Sequence, residues 1–111
     1  MKLGLKPSDA RLEPAGEERF RLVGELGFGT VMALLKESEE AFAEKPEITL
    51  DLAGVTRANS AGIALLVEWL RRARHDKRRL RFVNVPDEAL AIARICEVEP
   101  LLEPAIGQEA T

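Results

Sequence analysis

Residues 48–70 read ITLDLAGVTRANSAGIALLVEWL, and a change of period inside this stretch decides the fold. Ile48, Leu50 and Leu52 alternate with Thr49 and Asp51, the two-residue repeat of a strand, and Gly54 marks the exit from it. From Ile63 the repeat lengthens. Ile63, Leu66, Val67 and Leu70 fall at i, i+3, i+4 and i+7, one face of a helix. Between the two patterns lies Arg57-Ala58-Asn59-Ser60-Ala61-Gly62, where Asn59 or Ser60 supplies the side-chain oxygen that a helix start requires. On a wheel of about 100° per residue, Ala61, Leu65 and Trp69 gather on a second side, flanked by Glu68 and Arg72. A helix on a sheet usually gives that side to charged residues. Its apolar character therefore predicts a cover, either a neighbouring helix of this chain or a partner.

Outward from this core the remaining elements follow the same logic. Ala10 to Glu13 suits a short strand, Pro14-Ala15-Gly16 a turn, and Phe20, Leu22 and Val23 a second strand, so the first two strands form an antiparallel hairpin. Gly24 to Gly29 reads as a loop. Thr30 opens a helical pattern carried by Val31, Leu34, Leu35, Ala41 and Phe42 and closed by Lys45-Pro46. Leu80 to Val85 is a further strand, and Pro86-Asp87-Glu88 begins a third helix with Ala89, Ile92, Ala93 and Cys96, followed by Pro100-Leu101-Leu102. A hairpin followed by alternating helix and strand predicts an α/β domain: a mixed sheet of about four strands with helices packed on it and right-handed crossovers. The expected divisions are a loose leader over residues 1–9, the domain over 10–103 and a flexible tail over 104–111. Ligand-facing loops in such folds gather at the carboxyl ends of strands, here Gly24–Gly29, Ala53–Asn59 and Asn84–Asp87.

Composition excludes several function classes. The chain has 111 residues, 46% hydrophobic and 32% charged, which suits one globular domain. Its apolar runs are too short to cross a bilayer, and Met-Lys-Leu-Gly-Leu-Lys lacks the apolar centre of a secretory signal, so a cytosolic location is expected. One cysteine, Cys96, and one histidine, His75, cannot build a zinc cluster of the usual kind, and no metal or cofactor is expected. A net charge of −3 argues against general capture of nucleic acid.

Catalytic chemistry is equally poorly supplied. Gly24, Gly27 and Gly29 match neither GxGxxG nor GxxxxGK[ST], so a turn is the better reading. Asp51 and Glu25 could be imagined as paired carboxylates, yet no nucleophile with a base beside it accompanies them, and Ser60 lacks the GxSxG elbow of acyl transfer. The run from Arg71 to Arg79, with Arg81 beyond, reads first as cations complementing the negative end of the central helix, and second as a surface for an anionic partner. Ser60 also has two readings, as a helix cap or as a place where a phosphate would be well held.

The segment Leu50 to Leu66, LDLAGVTRANSAGIALL, resembles the signature of STAS domains, the fold of the anti-sigma factor antagonists, and Gly24-Glu25-Leu26 resembles the family's strand-to-loop stretch. The resemblance spans roughly Phe20 to Leu102. Arg57, the Gly62-Ile63-Ala64-Leu65-Leu66 run and Val85-Pro86 to Leu90 look most like the MlaB-like branch. That resemblance implies a non-enzymatic cytoplasmic subunit of a phospholipid ABC transporter, seated on its ATPase subunit, with the permease in the larger complex and contact with the membrane only through it. The implied partner-binding residues are Arg57, Asn59, Ser60, Ala61, Leu65, Trp69 and Arg72. The alternative the resemblance carries is an anti-sigma factor antagonist switched by phosphorylation of Ser60. Asn59 stands where the family usually has aspartate, which removes a negative charge and counts against kinase recognition.

Because no phosphate loop with its lysine is present, the purified chain is expected neither to hydrolyse ATP nor to bind it tightly. Turnover that survives further purification and responds to a point mutation in the strand-end loops would contradict this.

Overall fold

Whether the apolar second side of the central helix faces a partner or the chain itself is answered by the computed structural model, which describes residues 10–107. Strands β1 (Ala10–Pro14) and β2 (Arg19–Leu26) are followed by helix α1 (Val31–Ala41), strand β3 (Glu47–Ala58), helix α2 (Ser60–His75) and strand β4 (Arg79–Val83). Helix α3 (Asp87–Ile95), the single turn α4 (Glu99–Leu102), a 3-10 turn at Glu103–Ala105 and strand β5 (Ile106–Gly107) complete the described chain. The sheet has the order β1-β2-β3-β4-β5. The β1–β2 pair is antiparallel and every other pair is parallel, so the expected mixed sheet is present with one strand more. That fifth strand lies where a flexible tail was expected from residue 104. Two residues are too few to show an alternation, and they join the sheet through the register Phe82 to Ile106 and Val83 to Gly107. The expected leader, 1–9, and residues 108–111 lie outside the described residues.

Strand β3 runs to Ala58, so the predicted loop Ala53–Asn59 is instead mostly strand. The reason lies in its register with β2. From Arg21↔Asp51 to Val23↔Gly54, and again from Gly24↔Val55 to Glu25↔Arg57, β3 spends one residue more than β2, so it carries two bulges. Each bulge shifts which residues point inward. Ile48, Leu50 and Leu52 are buried at a spacing of two, and Val55 and Ala58 then follow at a spacing of three. A simple alternation could not have shown this. Gly54 sits at the first bulge, where a Cβ would lie 2.8 Å from Val23 Cγ1.

All the helices bury residues in one cluster with the same sheet face: Leu34 and Phe42 of α1, Ile63 and Leu66 of α2, and Ala89 and Ala93 of α3 join Phe20, Leu22, Leu50 and Phe82. The fold is therefore two-layered. The opposite sheet face carries Arg19, Arg21, Thr49, Asp51 and Arg81, none of them buried. Arg19 and Asp51 pair there at 2.9 Å.

Helix α2 is rotated from the orientation that its Ile63/Leu66/Val67/Leu70 stripe implied. Val67 and Leu70 are only partly buried, whereas Leu65 and Trp69 are core residues, Trp69 at 2% exposure. Their assignment to a partner-binding side is thereby corrected: α1 of the same chain covers them. The Trp69 indole N–H donates to Ser38 Oγ at 2.7 Å, and the Ser38 hydroxyl donates to the Leu35 carbonyl at 2.7 Å. The Trp69 ring lies 5.8 Å from that of Phe42, which lies 5.3 Å from that of Phe20. Every polar atom in this cluster is satisfied, as a buried indole requires.

Trp69→Ala is expected to cost about 3–5 kcal/mol of stability through the cavity it leaves. Ser38→Ala, which strands the indole N–H, should cost about 1–3 kcal/mol. Urea unfolding checks both; a Trp69→Ala chain as stable as the parent would place the indole outside the core.

Candidate docking surface at the start of helix α2

The start of α2 is fixed at the end of β2 by the backbone of Asn59 and by the close approach of Gly62 to Leu26, with Ser60 left at the surface. The Asn59 N–H donates to the Leu26 carbonyl at 3.0 Å, which continues the β2–β3 pairing by one bond. Asn59 Oδ1 then accepts the N–H of Ala61 at 2.8 Å and of Gly62 at 3.4 Å, so Asn59 is the cap and Ser60 is the first helical residue. The Ser60 side chain is exposed and makes no hydrogen bond among the described residues. Gly62 faces Leu26 so closely that a Cβ would lie 2.7 Å from Leu26 Cβ and 2.9 Å from its carbonyl oxygen. Only glycine lets the helix descend this far.

The loop after β2 is pinned beside this cap. The Thr30 hydroxyl donates to the Glu25 carbonyl at 2.7 Å and accepts the Gly27 N–H at 3.1 Å. A Cβ on Gly27 would come within 3.0 Å of Asn59 Nδ2, which places the loop against the cap residue. The loop and first turn of α1 carry Phe28, 78% exposed, and Met32, 72% exposed. Arg57 is also exposed, opposite Glu25 in the register, and lines a pocket of about 210 Å³ with Gly27 and Asn59. It makes no ion pair among the described residues.

On its other flank Ser60 borders an apolar groove of about 310 Å³ lined by Ile63, Ala64, Val67, Cys96 and Val98, with Glu68 at its edge. Ile95, 76% exposed, precedes Cys96 in the chain. The structure thus brings Arg57, Asn59, Ser60 and half-buried Ala61 together at one pole and removes Leu65 and Trp69 into the core. Arg72 belongs to neither group. Its Nε bonds Glu68 at 2.7 Å and its Nη1 bonds Glu39 at 3.0 Å, so it ties α2 to α1. Hydrogen bonds from Arg71 and Arg72 hold the Glu68 carboxyl down at about 2. Phe28 and Met32 went unassigned from sequence, and Val67 reads there as part of the core-facing stripe rather than of a groove; an aromatic between two glycines, outside any period, is the signal that Phe28 offers.

The other polar groups near the strand ends have structural partners. Asp51 accepts hydrogen bonds from Asn84 at 3.0 Å, the Ala53 N–H at 2.9 Å and Arg19 at 2.9 Å. Burial pushes its carboxyl up, and these bonds outweigh that to leave it below the usual range. Glu88, in the first turn of α3, accepts the Ala58 N–H at 3.1 Å. Among the described residues no three His, Cys, Asp or Glu side chains stand close enough to hold a metal ion, and no helix is long and apolar enough to cross a membrane. Among the described residues this pole offers a cation without an ion pair, a hydroxyl without a hydrogen bond, and exposed apolar side chains.

A family model described as Mlab, STAS domain matches residues 11–103. Among solved structures, the unphosphorylated anti-sigma factor antagonist SpoIIAA is similar at 15% identity over 91% of this chain and 88% of that one, with a TM-score of 0.68. The phosphorylated form of the Bacillus cell fate determinant SpoIIAA matches at 15% identity over 91% of each chain, with a TM-score of 0.66. Mglu matches at 28% identity over 69% of this chain and 19% of its own, with a TM-score of 0.55. The SpoIIAA likenesses establish the fold. No curated protein matches in sequence.

The cap and the close approach separate in mutants. Asn59→Ala should cost about 1 kcal/mol, Gly62→Ala about 1–3 kcal/mol by overpacking against Leu26, and Ser60→Ala less than about 0.5 kcal/mol. Equilibrium unfolding of the three variants checks the order; a Ser60→Ala loss as large as that of Asn59→Ala would make Ser60 the cap.

Proposed function

The chain belongs to the MlaB-type STAS domain family, and from that premise we propose that it is a non-catalytic accessory subunit that docks on the ATPase subunit of a phospholipid ABC transporter. The observation that carries this reading is the pole at the start of α2, where Ser60 borders the Ala64/Val67 groove and the loop packed against its cap residue leads into exposed Phe28 and Met32. Apolar side chains left uncovered around one hydroxyl favour a standing contact, since each would gain by being removed from water. Arg57, without an ion pair among the described residues, adds a cation at the rim, which suits an acidic or carbonyl-rich counterpart. In this reading the chain binds no nucleotide itself and does not touch the transported lipid. Its contribution is assembly and activity of the transporter, from the cytoplasmic side of the inner membrane.

A second reading, an anti-sigma factor antagonist switched by phosphorylation, is supported by the accessible Ser60 hydroxyl. A phosphate on Ser60 would seek the first N–H groups of α2. Those of Ala61 and Gly62 are already taken by Asn59 Oδ1, which favours the constitutive contact over the switch.

Co-purification with the ATPase subunit tests the proposal. The parent chain should be retained, Ser60→Ala should be retained nearly as well, and Met32→Asp and Ser60→Asp should each lose at least about tenfold in affinity by placing charge in an apolar contact. Thermal melts should leave both charged variants folded. Failure of the folded parent to bind, together with stoichiometric phosphorylation of Ser60 by a partner kinase, would favour the antagonist reading instead.

A further inference from the structure

The opposite end of α2 carries the chain's strongest charge bias. Residues 71–81 hold seven lysines and arginines against a single acid, Asp76, in a chain whose net charge is −3. The fold gathers this run with α4 and the 3-10 turn around a groove of about 340 Å³. Arg74, Arg78, Arg79 and Arg81 line it, no acidic side chain does, and its remaining lining is apolar, including Leu70, Leu80, Pro104 and Leu101. Leu101 is 50% exposed there.

The cations are not equally free. Arg78 donates to the Lys45 carbonyl at 2.8 Å, and Arg79 meets Glu47 at 3.3 Å in an exposed pair. Arg74 and Arg81 have no ion pair among the described residues, and the Arg81 guanidinium lies so close over β5 that a Cβ on Gly107 would meet it. Complementing the end of a helix calls for cations within its last turn, and Arg72 and Arg74 already occupy that turn. Arg79 and Arg81 belong to the next strand and are surplus to that role.

We infer that this pole docks on an anionic phospholipid bilayer surface. Arginines around an apolar floor match a membrane interface, where the cations meet headgroup phosphates and an apolar side chain such as Leu101 enters beneath them. A nucleic acid would use the charges and leave the apolar floor without a partner, and no aromatic side chain lines the groove for base stacking. Helix α2 is 16 residues long, which separates this pole from Ser60 by about 24 Å, so the two surfaces can be occupied together. The inference does not rest on the transporter reading.

Co-sedimentation of the full chain with vesicles tests it. The chain should sediment with vesicles containing phosphatidylglycerol, stay in solution with pure phosphatidylcholine vesicles, and be released by high salt. Arg74→Gln combined with Arg81→Gln should weaken retention by about tenfold, and Leu101→Ser by less. Ser60→Asp, at the other pole, should change nothing. Should the double variant melt early, Lys77→Gln with Arg79→Gln, both exposed, replaces it with the same expected direction. Absence of retention on anionic vesicles, retention unchanged in folded arginine variants, or tighter binding to a duplex DNA oligonucleotide than to the vesicles would overturn the inference.

Discussion

Helix α2 comes down onto the end of β2 at Gly62, and the layout of the exposed pole depends on how little room that leaves. With Leu26 occupying the space where a side chain would start, the helix can only approach at a glycine. The approach lets Asn59 bond the Leu26 carbonyl with its backbone and cap the helix with its side chain. The cap role is thus filled before Ser60 is reached, and the serine hydroxyl is left for solvent or for a partner. The bulges of β3 serve the same end, because they carry the strand to Ala58 at the level of Leu26 while keeping Val55 and Ala58 turned inward.

A second set of contacts fixes α2 along its length. Trp69 bonded to Ser38, and Arg72 bonded to Glu39, hold it to α1 at its middle and far end. Under the proposed docking, stability and recognition divide along one helix. Leu65 and Trp69 hold the layers together, whereas Ser60 and Ala64 are exposed and Val67, partly buried, packs against the core from the edge of the groove. If the proposed docking holds, changes at the first group act on binding by unfolding the chain, and changes at the exposed positions Ser60 and Ala64 act on it directly.

Much of this was legible in residues 48–70, because a two-residue period giving way to a helical one across Asn59-Ser60 requires a strand, a cap and a helix in that order. The fold class and the helix start at Asn59-Ser60 follow from it, whereas the assignment of Arg57–Ala61 to a partner rests on the STAS resemblance. The covering of Trp69 does not. Its partner Ser38 sits in Lys36-Glu37-Ser38-Glu39-Glu40, a run that reads as solvent-facing, so nothing marks α1 as the cover for the indole. The exposed Phe28 and Met32 were hidden for the opposite reason: an aromatic in a glycine loop has no period from which exposure can be read. Strand β5 takes its place through backbone pairing with β4, to which side-chain patterning is blind.

Amide hydrogen exchange on the chain alone and on its complex with the ATPase subunit examines the central claim directly. If the pole assembled around Gly62 is the docking surface, exchange should slow over residues 27–33 and 57–68 on complex formation, and stay unchanged over the basic segment 71–81. Protection confined to the β1 edge or to residues 71–81, with 27–33 and 57–68 exchanging as in the free chain, would contradict it.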